Sequence, residues 1–376
     1  MKWFKRKKSV CVVSDGAEEQ TVFESASVDA VPPVEAFNED DFTFVSRTKE
    51  EANEDKNFSS QGYWKGVCTR FFKKKLAVFG LICIAIIVLL AIFAPMFSPY
   101  AYDEVNVMAT NVAPRIPFLE KLGIFDGWET IKTVSGGTKE VNGYIDNGLT
   151  DKYFFFGTDE LGRDIWTRTW HGARISLIIA IAATVIDMII GVSYGLISGY
   201  FGGVTDGIMQ RVAEIVSGIP RMVVVILLSL AMKPGLGAII VALLITEWIG
   251  MSRISRAEML RLKDREYILA SRTLGAKNSS IIFGGVLPNI AGPVITQVMF
   301  SIPTAIFTEA FLSFVGLGVR LPECSLGSLI SDGFQVFNTH IYQIIPPIVV
   351  LALLMLSFNL VGDGLREALD PKMKDL

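Results

Sequence analysis

The chain has 376 residues, 51% of them hydrophobic and 19% charged, with a formal net charge of -3 and a mean hydropathy of +0.45. A water-soluble chain of this length could not hide so many long apolar runs, so the composition points to a membrane protein. With two histidines, no GxxxxGK[ST] loop and four cysteines without paired spacing (Cys11, Cys68, Cys83, Cys324), there is almost no material for a His-based catalytic or zinc centre, and neither a nucleotide cradle nor a disulfide framework is supported. Any energy source is then expected from another subunit, and no nucleic acid is expected as a partner.

After the basic start MKWFKRKK, residues 14 to about 57 are rich in Asp, Glu, Ser and Val with little periodicity, which reads as a solvated, disordered acidic tail. Tyr63, Trp64, Phe71 and Phe72 then suit an interfacial helix with its rings at headgroup depth. Residues 76–97 are an unbroken apolar run, enough for roughly 33 Å of helix and hence one membrane span. The run begins far from the amino terminus and no small-residue cleavage site follows it closely, so an anchor is expected rather than a removed signal peptide.

Residues 98–173 form an outer segment. Its first part, to about 153, sets Pro114, Pro117, Gly123, Gly127, Gly136 and Gly137 around Phe118, Phe125 and Trp128. That composition fits either a small folded cap or a loose loop, and its length favours at least partial order. In FFFGTDELGRDIWTRTWHGARISL, residues 154–177, Thr158 and Asp159 are expected to cap a short amphipathic helix whose Ile165, Trp166 and Trp170 rest on the outer leaflet.

Further apolar runs at about 174–199, 208–232, 236–252, 289–315 and 341–362 bring the expected number of spans to roughly six. Gly202, Gly203, Pro234 and Gly235 mark tight turns between them, and Pro220 and Pro303 are expected to kink their spans. Gly191, Gly195 and Gly199, with Ala180, Ala182 and Ala183, allow close helix packing in the second span. Asp187, Glu247 and Glu309 are ionisable residues within spans, where bare charge is costly. Glu309 and Asp187 fit either a wet path or helix-to-helix bonding, and Glu247 is expected near the cytoplasmic interface. Arg70, Lys73, Lys74 and Lys75 abut the first span and Arg253, Arg256, Arg261, Lys263, Arg265 and Arg272 follow the fourth, so both regions are placed inside, with both termini cytoplasmic.

The polar break at residues 253–288 is too patterned for a plain connector. Residues 258–262 and 266–274 read as helical, with Met259, Leu262, Ile268, Leu269 and Leu274 as an apolar stripe among basic residues. Gly275 suits the left-handed position past a helix end, and Asn278 or Ser279 is expected to cap the next helix, which leads to Pro288. Such a helix fits a groove on a partner protein and a seat on lipid headgroups equally well.

The run ILASRTLGAKNSSIIFGGVLPN resembles the cytoplasmic coupling loop of permease subunits of ABC importers, matched at Ala270, Ser271, Gly275, Leu287 and Pro288. Leu269 stands where that family usually carries an acidic residue, with Glu266 three positions earlier, and Gly284 and Gly285 stand where a basic or His pair often precedes Leu-Pro. Residues 154–177 are similar to the C-type subunit of oligopeptide and dipeptide permeases at Gly157, Thr158, Asp159, Gly162, Arg163, Asp164, Arg168, Gly172, Arg174 and Ser176. The stretches at 195–220, 309–319 and 359–372 resemble the same subunit type, so the likeness covers most of residues 66–376.

The resemblance implies an all-α membrane protein of about six transmembrane helices, the last five forming a type I importer permease core over residues 174–362, with the coupling loop at 253–288, an extracellular insertion after the first helix, and a cytoplasmic tail at 363–376. It implies a non-catalytic chain in a bacterial cell membrane that forms half of a translocation pathway. The implied partners are a second homologous permease, two ATPase subunits that hold ATP and Mg, and an extracellular peptide-binding protein. Oligopeptides are the implied substrate, with dipeptides, nickel chelates or glutathione as alternatives in the same family. Glu309, Asp187 and Gln297 are the candidates for lining the path.

Overall fold

The computed structural model describes residues 63–370, apart from 118, 124, 133–136 and 233–234. The acidic tail expected over residues 14–57 and the end of the tail at 371–376 lie outside the described residues. In chain order the elements are α1 (Tyr63–Lys73), α2 (Lys75–Phe97), β1 (Trp128–Lys132), β2 (Thr138–Asn142), α3 (Gly143–Asp146), α4 (Ile165–Phe201), α5 (Gly203–Gly218), α6 (Arg221–Met232), α7 (Leu236–Thr246), α8 (Trp248–Leu262), α9 (Glu266–Thr273), α10 (Ala291–Phe314), α11 (Leu326–Gln335) and α12 (Ile345–Leu369).

Helix α1 is amphipathic. Val67 and Phe71, one turn apart, are buried against Ala77, Val361, Ala368 and Leu369, while Trp64 and Phe72 stay exposed. The chain bends at Lys74, which ion-pairs with Glu367 of α12. Helix α2 is apolar on every side, as a span facing lipid must be, and it lies against α12 where Gly80 leaves no side chain. A Cβ on Gly80 would sit 2.8 Å from the Ser357 carbonyl oxygen.

The insertion between α2 and α4 is folded around Ala109, Val112, Tyr144, Leu149 and Phe154, and Tyr144 Oη donates to the Ala113 carbonyl at 3.0 Å. It contains a small antiparallel hairpin in which Trp128 faces Asn142 and Lys132 faces Thr138, an addition to an otherwise helical fold. The hairpin is fastened to the bundle by Glu129, whose carboxylate lies 2.9 Å from His340 Nδ1 just before the last span.

The second span is longer than the apolar run at 174–199. Helix α4 starts at Ile165, capped by Asp164, whose Oδ2 accepts from Thr167 N at 3.0 Å, and no separate helix begins at Thr158 or Asp159. Those two residues serve the preceding loop: Thr158 Oγ1 accepts from Val112 N, and Asp159 Oδ1 accepts from Leu161 N and Arg163 N. Ile165 and Trp170 are buried rather than lying on a leaflet. Polar residues enter this first stretch of the helix because it packs against protein, which hydropathy does not register.

The helix of the fourth span likewise runs on past its expected end at residue 252, through α7 and α8 to Leu262, so residues 253–262 continue that helix instead of starting a separate one. Its contact with α4 is close over three successive turns. A Cβ on Gly191 would fall 2.6 Å from Met251 Cβ and 2.7 Å from the Trp248 oxygen, and one on Gly199 would fall 2.9 Å from Met259 Cβ; Gly195 meets Ser252 and Arg256 in between. Glycine at every fourth position clears one stripe of the helix, so the two backbones touch.

Contact partners rise together along both helices, so the second and fourth spans run parallel. The chain must therefore recross between them, and α5 and α6 are the stretch that does so. They meet at a bend of 77° around Pro220, where the expectation was a kinked single helix over 208–232. With this broken crossing there are six among the described residues. The start of α5 is fixed by Asp206, which takes Arg256 of α8 on both oxygens at 2.6 Å and accepts from Ser198 of α4 at 2.5 Å. Arg221, directly after the break, lies 2.7 Å from Glu247 and donates to Thr308 Oγ1 at 3.2 Å. Glu247 joins α7 to α8, and its pairing with Arg221 makes a charge tolerable in a membrane-spanning helix.

The fifth span begins at Ser280 rather than 289 and ends at Phe314, and the last runs Ile341–Leu369 rather than stopping at 362. Between them α11, absent from the sequence expectations, opens with a capping box of Ser325 and Ser328.

Candidate functional site

The loop after the fourth span is built around α9. Glu266 stands in its first turn and Arg272 in its last, the arrangement the helix dipole favours. It closes in a Schellman motif: Gly275 N bonds the Arg272 carbonyl at 2.9 Å and Ala276 N the Ser271 carbonyl at 3.0 Å, with Gly275 at φ +78°. Nothing lies within 4 Å of where a Gly275 Cβ would be, so glycine is required there by backbone conformation and not by crowding.

One side chain anchors α9. Ile268 is buried among Tyr200, Met259, Ile281, Ile282 and Val286, the core formed by the ends of the second, fourth and fifth spans. The stripe expected to bury Leu269 and Leu274 with it splits instead: both are exposed, Leu274 at 87%, and Tyr267 joins them at the surface. Ile268 is the one buried residue of this eight-residue helix, which at about two turns is too short to lay a longer stripe inward. Glu266 and Ala270 are exposed, Ser271 Oγ donates to the Tyr267 carbonyl at 2.8 Å, Leu287 is half-buried against the same core, and Pro288 is exposed in the 3-10 turn Leu287–Ile290.

Tyr200, near the end of α4, clamps both limbs of the loop. Its ring lies 4.7 Å under the Arg272 guanidinium, and its hydroxyl donates to Asn278 Oδ1 at 2.8 Å. Asn278 is thereby occupied and does not cap the next helix. Ser279 makes no side-chain cap bond either, and the chain enters the fifth span through a π-helical turn, Ser280–Val286. Gly284 and Gly285 lie in this turn; Asn289 Nδ2 reaches the Gly285 carbonyl at 2.7 Å and Tyr267 Oη at 3.4 Å. The result is an apolar, outward-facing knob on a stiff base, which is mechanical rather than chemical equipment.

The path candidates separate. Glu309 is 0% exposed and accepts from Ser176 at 2.8 Å and Ser313 at 2.7 Å, while Ser313 Oγ accepts from Ser325 Oγ at 3.2 Å, so it ties α4, α10 and the start of α11 together and lines no path within this chain. Asp187 is also buried, accepting from Ser301 at 2.9 Å between α4 and α10. Of the two roles open to them, both make interior hydrogen bonds here, in which hydroxyl donors offset the cost of burying a carboxyl group. Gln297 alone faces open space, a cavity of roughly 650 Å3 shared with Arg261, Asn289, Thr296 and Arg366 at the loop end of the bundle. Sequence reasoning missed Tyr200 and Arg221; the signal for Arg221 was a charge directly after Pro220 inside an apolar run.

Residues 191–375 match the family model described as binding-protein-dependent transport system inner membrane component, and residues 62–114 match that for the N-terminal TM domain of oligopeptide transport permease C. The chain is 44% identical to the oligopeptide transport system permease protein OppC of Bacillus subtilis, across 84% of this chain and 92% of that protein. It is 40% identical to the dipeptide transport system permease protein DppC of the same organism, across 84% and 88%. With OppC of Escherichia coli strain K12 it shares 33% identity across 87% and 97%.

Proposed function

The chain belongs to the binding-protein-dependent transport system inner membrane components, and from that membership we propose that it is one of two permease subunits of an ATP-driven peptide importer. The observation that carries the coupling role is α9: a short helix held by Ile268 and Tyr200 with Tyr267, Leu269 and Leu274 facing outward. An exposed apolar face on a fixed base fits insertion into a groove on a partner, here an ATPase subunit on the cytoplasmic side.

In this reading both termini are cytoplasmic, in keeping with six crossings and with the basic residues at Lys73–Lys75 and around α9. The chain is a non-catalytic subunit; ATP and Mg belong to two ATPase subunits, and a second, related permease supplies the other half of the path. A peptide-binding protein delivers cargo to the opposite face, over the folded insertion. Closure of the ATPases moves α9, and the span pair joined through Gly191, Gly195 and Gly199 carries that motion as a unit. Oligopeptides are the proposed cargo. Dipeptides are the second reading, favoured by the comparable likeness to a dipeptide permease.

The test is purification of the tagged chain from its own membranes, followed by disulfide trapping of Leu274→Cys against cysteines placed on the co-purifying ATPase. Recovery of a second permease and two ATPases, peptide-stimulated hydrolysis and a trapped adduct are expected. Recovery of the chain without an ATPase refutes the importer reading, and an assembled complex in which Leu274→Cys is never trapped refutes the role of α9.

A further inference from the structure

At the end of the bundle opposite α9, the loop before α4 and the chain around α11 enclose a cavity of roughly 280 Å3, lined among others by Asp159, Glu160, Arg163, Arg168, Glu323 and Asp332. Arg168 is 1% exposed, yet its Nε and Nη1 make no hydrogen bond. The nearest carboxylate oxygens are those of Asp159 at 3.6 Å from Nη1 and Asp332 at 3.7 Å from Nη2, near enough to balance charge and too far to accept a hydrogen bond. A buried guanidinium held only by carboxylates at that range is costly, and an acceptor brought to its Nη2, the amino group on the Asp332 side, would relieve part of that cost.

The other charges divide unevenly. Arg163 Nε is spent on Asp159 at 2.7 Å, and Glu323 meets His171 Nε2 at 2.9 Å. Four carboxylates still face two guanidinium groups in the lining, so the cavity as a whole favours a cation. A ligand that satisfies both demands must carry a positive group and a neutral acceptor a few ångströms apart. A free carboxylate would answer Arg168 but would be brought against Asp159 and Asp332. A free amino terminus has the right chemistry: the α-ammonium is the cation and the carbonyl of the same residue is the acceptor.

We infer that this cavity binds the amino-terminal residue of a peptide, with its carbonyl oxygen on Arg168 and its ammonium group between Glu160 and Asp332. The inference rests on the peptide-importer reading and names a subsite for it. The volume lies at the small end of ligand pockets, which run from about 300 Å3 upward, so it accommodates the leading residue and not a whole peptide.

The test uses the assembled transporter in nanodiscs without its binding protein, titrated with radiolabelled trialanine and with N-acetyl-trialanine. The wild-type complex is expected to bind the free peptide about tenfold or more tightly than the acetylated one, the size of one charged hydrogen bond. Asp332→Asn and Glu160→Gln are each expected to bring that ratio towards one by weakening the free peptide alone. Glu160 is exposed, so its variant carries the test if Asp332→Asn fails to assemble. Equal wild-type binding of both peptides, an unchanged ratio in the variants, or discrimination that appears only with the binding protein present would each overturn the subsite. A complex that imports trialanine with ATP and its binding protein, yet binds both forms equally, refutes this subsite alone; one that imports neither refutes the importer reading beneath it.

Discussion

The parallel contact between α4 and α8 makes a sharp prediction at Gly191. In Gly191→Ala the new methyl group would stand 2.6 Å from Met251 Cβ and 2.7 Å from the Trp248 carbonyl oxygen. A comfortable separation is about 3.5 Å, so the two helices must part by roughly 0.9 Å. Neither neighbour can turn aside, because one is a Cβ and the other is main chain. Met251 and Met259 are both fully buried at this seam and would lose contacts along its length. Overpacking of this kind costs about 1–3 kcal/mol, and the rigid neighbours argue for the upper half. In a thermal-unfolding assay of the purified complex, read by the loss of the monodisperse chromatographic peak, the midpoint should fall by roughly 5 °C. The paired control is Gly66→Ala in α1, where nothing lies within 4 Å of the added carbon and the midpoint should hold or rise slightly. Equal midpoints for Gly191→Ala and wild type would show that the helices do not meet as described.

Three other outcomes are expected. Gly275→Val forces a β-branched residue into left-handed backbone, at about 1–2 kcal/mol; the protein should still insert, while ATP hydrolysis runs on with little uptake, measured in proteoliposomes. Tyr200→Phe keeps the ring under Arg272 and loses the bond to Asn278, so uptake per ATP hydrolysed should fall less than in Tyr200→Ala, which loses both. Glu309→Gln retains an acceptor for Ser176 or Ser313 and should be nearly silent in limited proteolysis, whereas Glu309→Leu strands both hydroxyls, costs about 1–3 kcal/mol for each, and should raise cleavage markedly.

How much of this could be read from the chain alone depended on the distance between partners. The first span was legible almost to the residue, because uniform hydrophobicity is bounded by lysines on one side. The second span was expected to begin at 174, nine residues late, and the fourth to end at 252, ten residues early, since their remaining turns carry arginines and other polar residues. The spacing of Gly191, Gly195 and Gly199 announced a close contact without naming α8, which lies more than fifty residues further on. Within the loop, α9 and its stop at Gly275 are local and were legible. Its clamp was not, because Tyr200 and Asn278 stand 78 residues apart. The hairpin went unseen since Thr130, Ile131 and Val141 are scattered among charged residues and turn residues too few to show a period of two.

Helix α4 is continuous from Asp164 to Gly202, and its 37 residues make a rod of about 55 Å. Arg168 stands near one tip and Tyr200 near the other, with the glycine seam lying closer to the Tyr200 tip. Pivoting such a lever through even 5° sweeps its far end by nearly 5 Å, about one helical turn. Under the proposed roles of the Arg168 cavity and of α9, Arg168 and Tyr200 are the two ends of one arm, so a tilt about a point between them moves both.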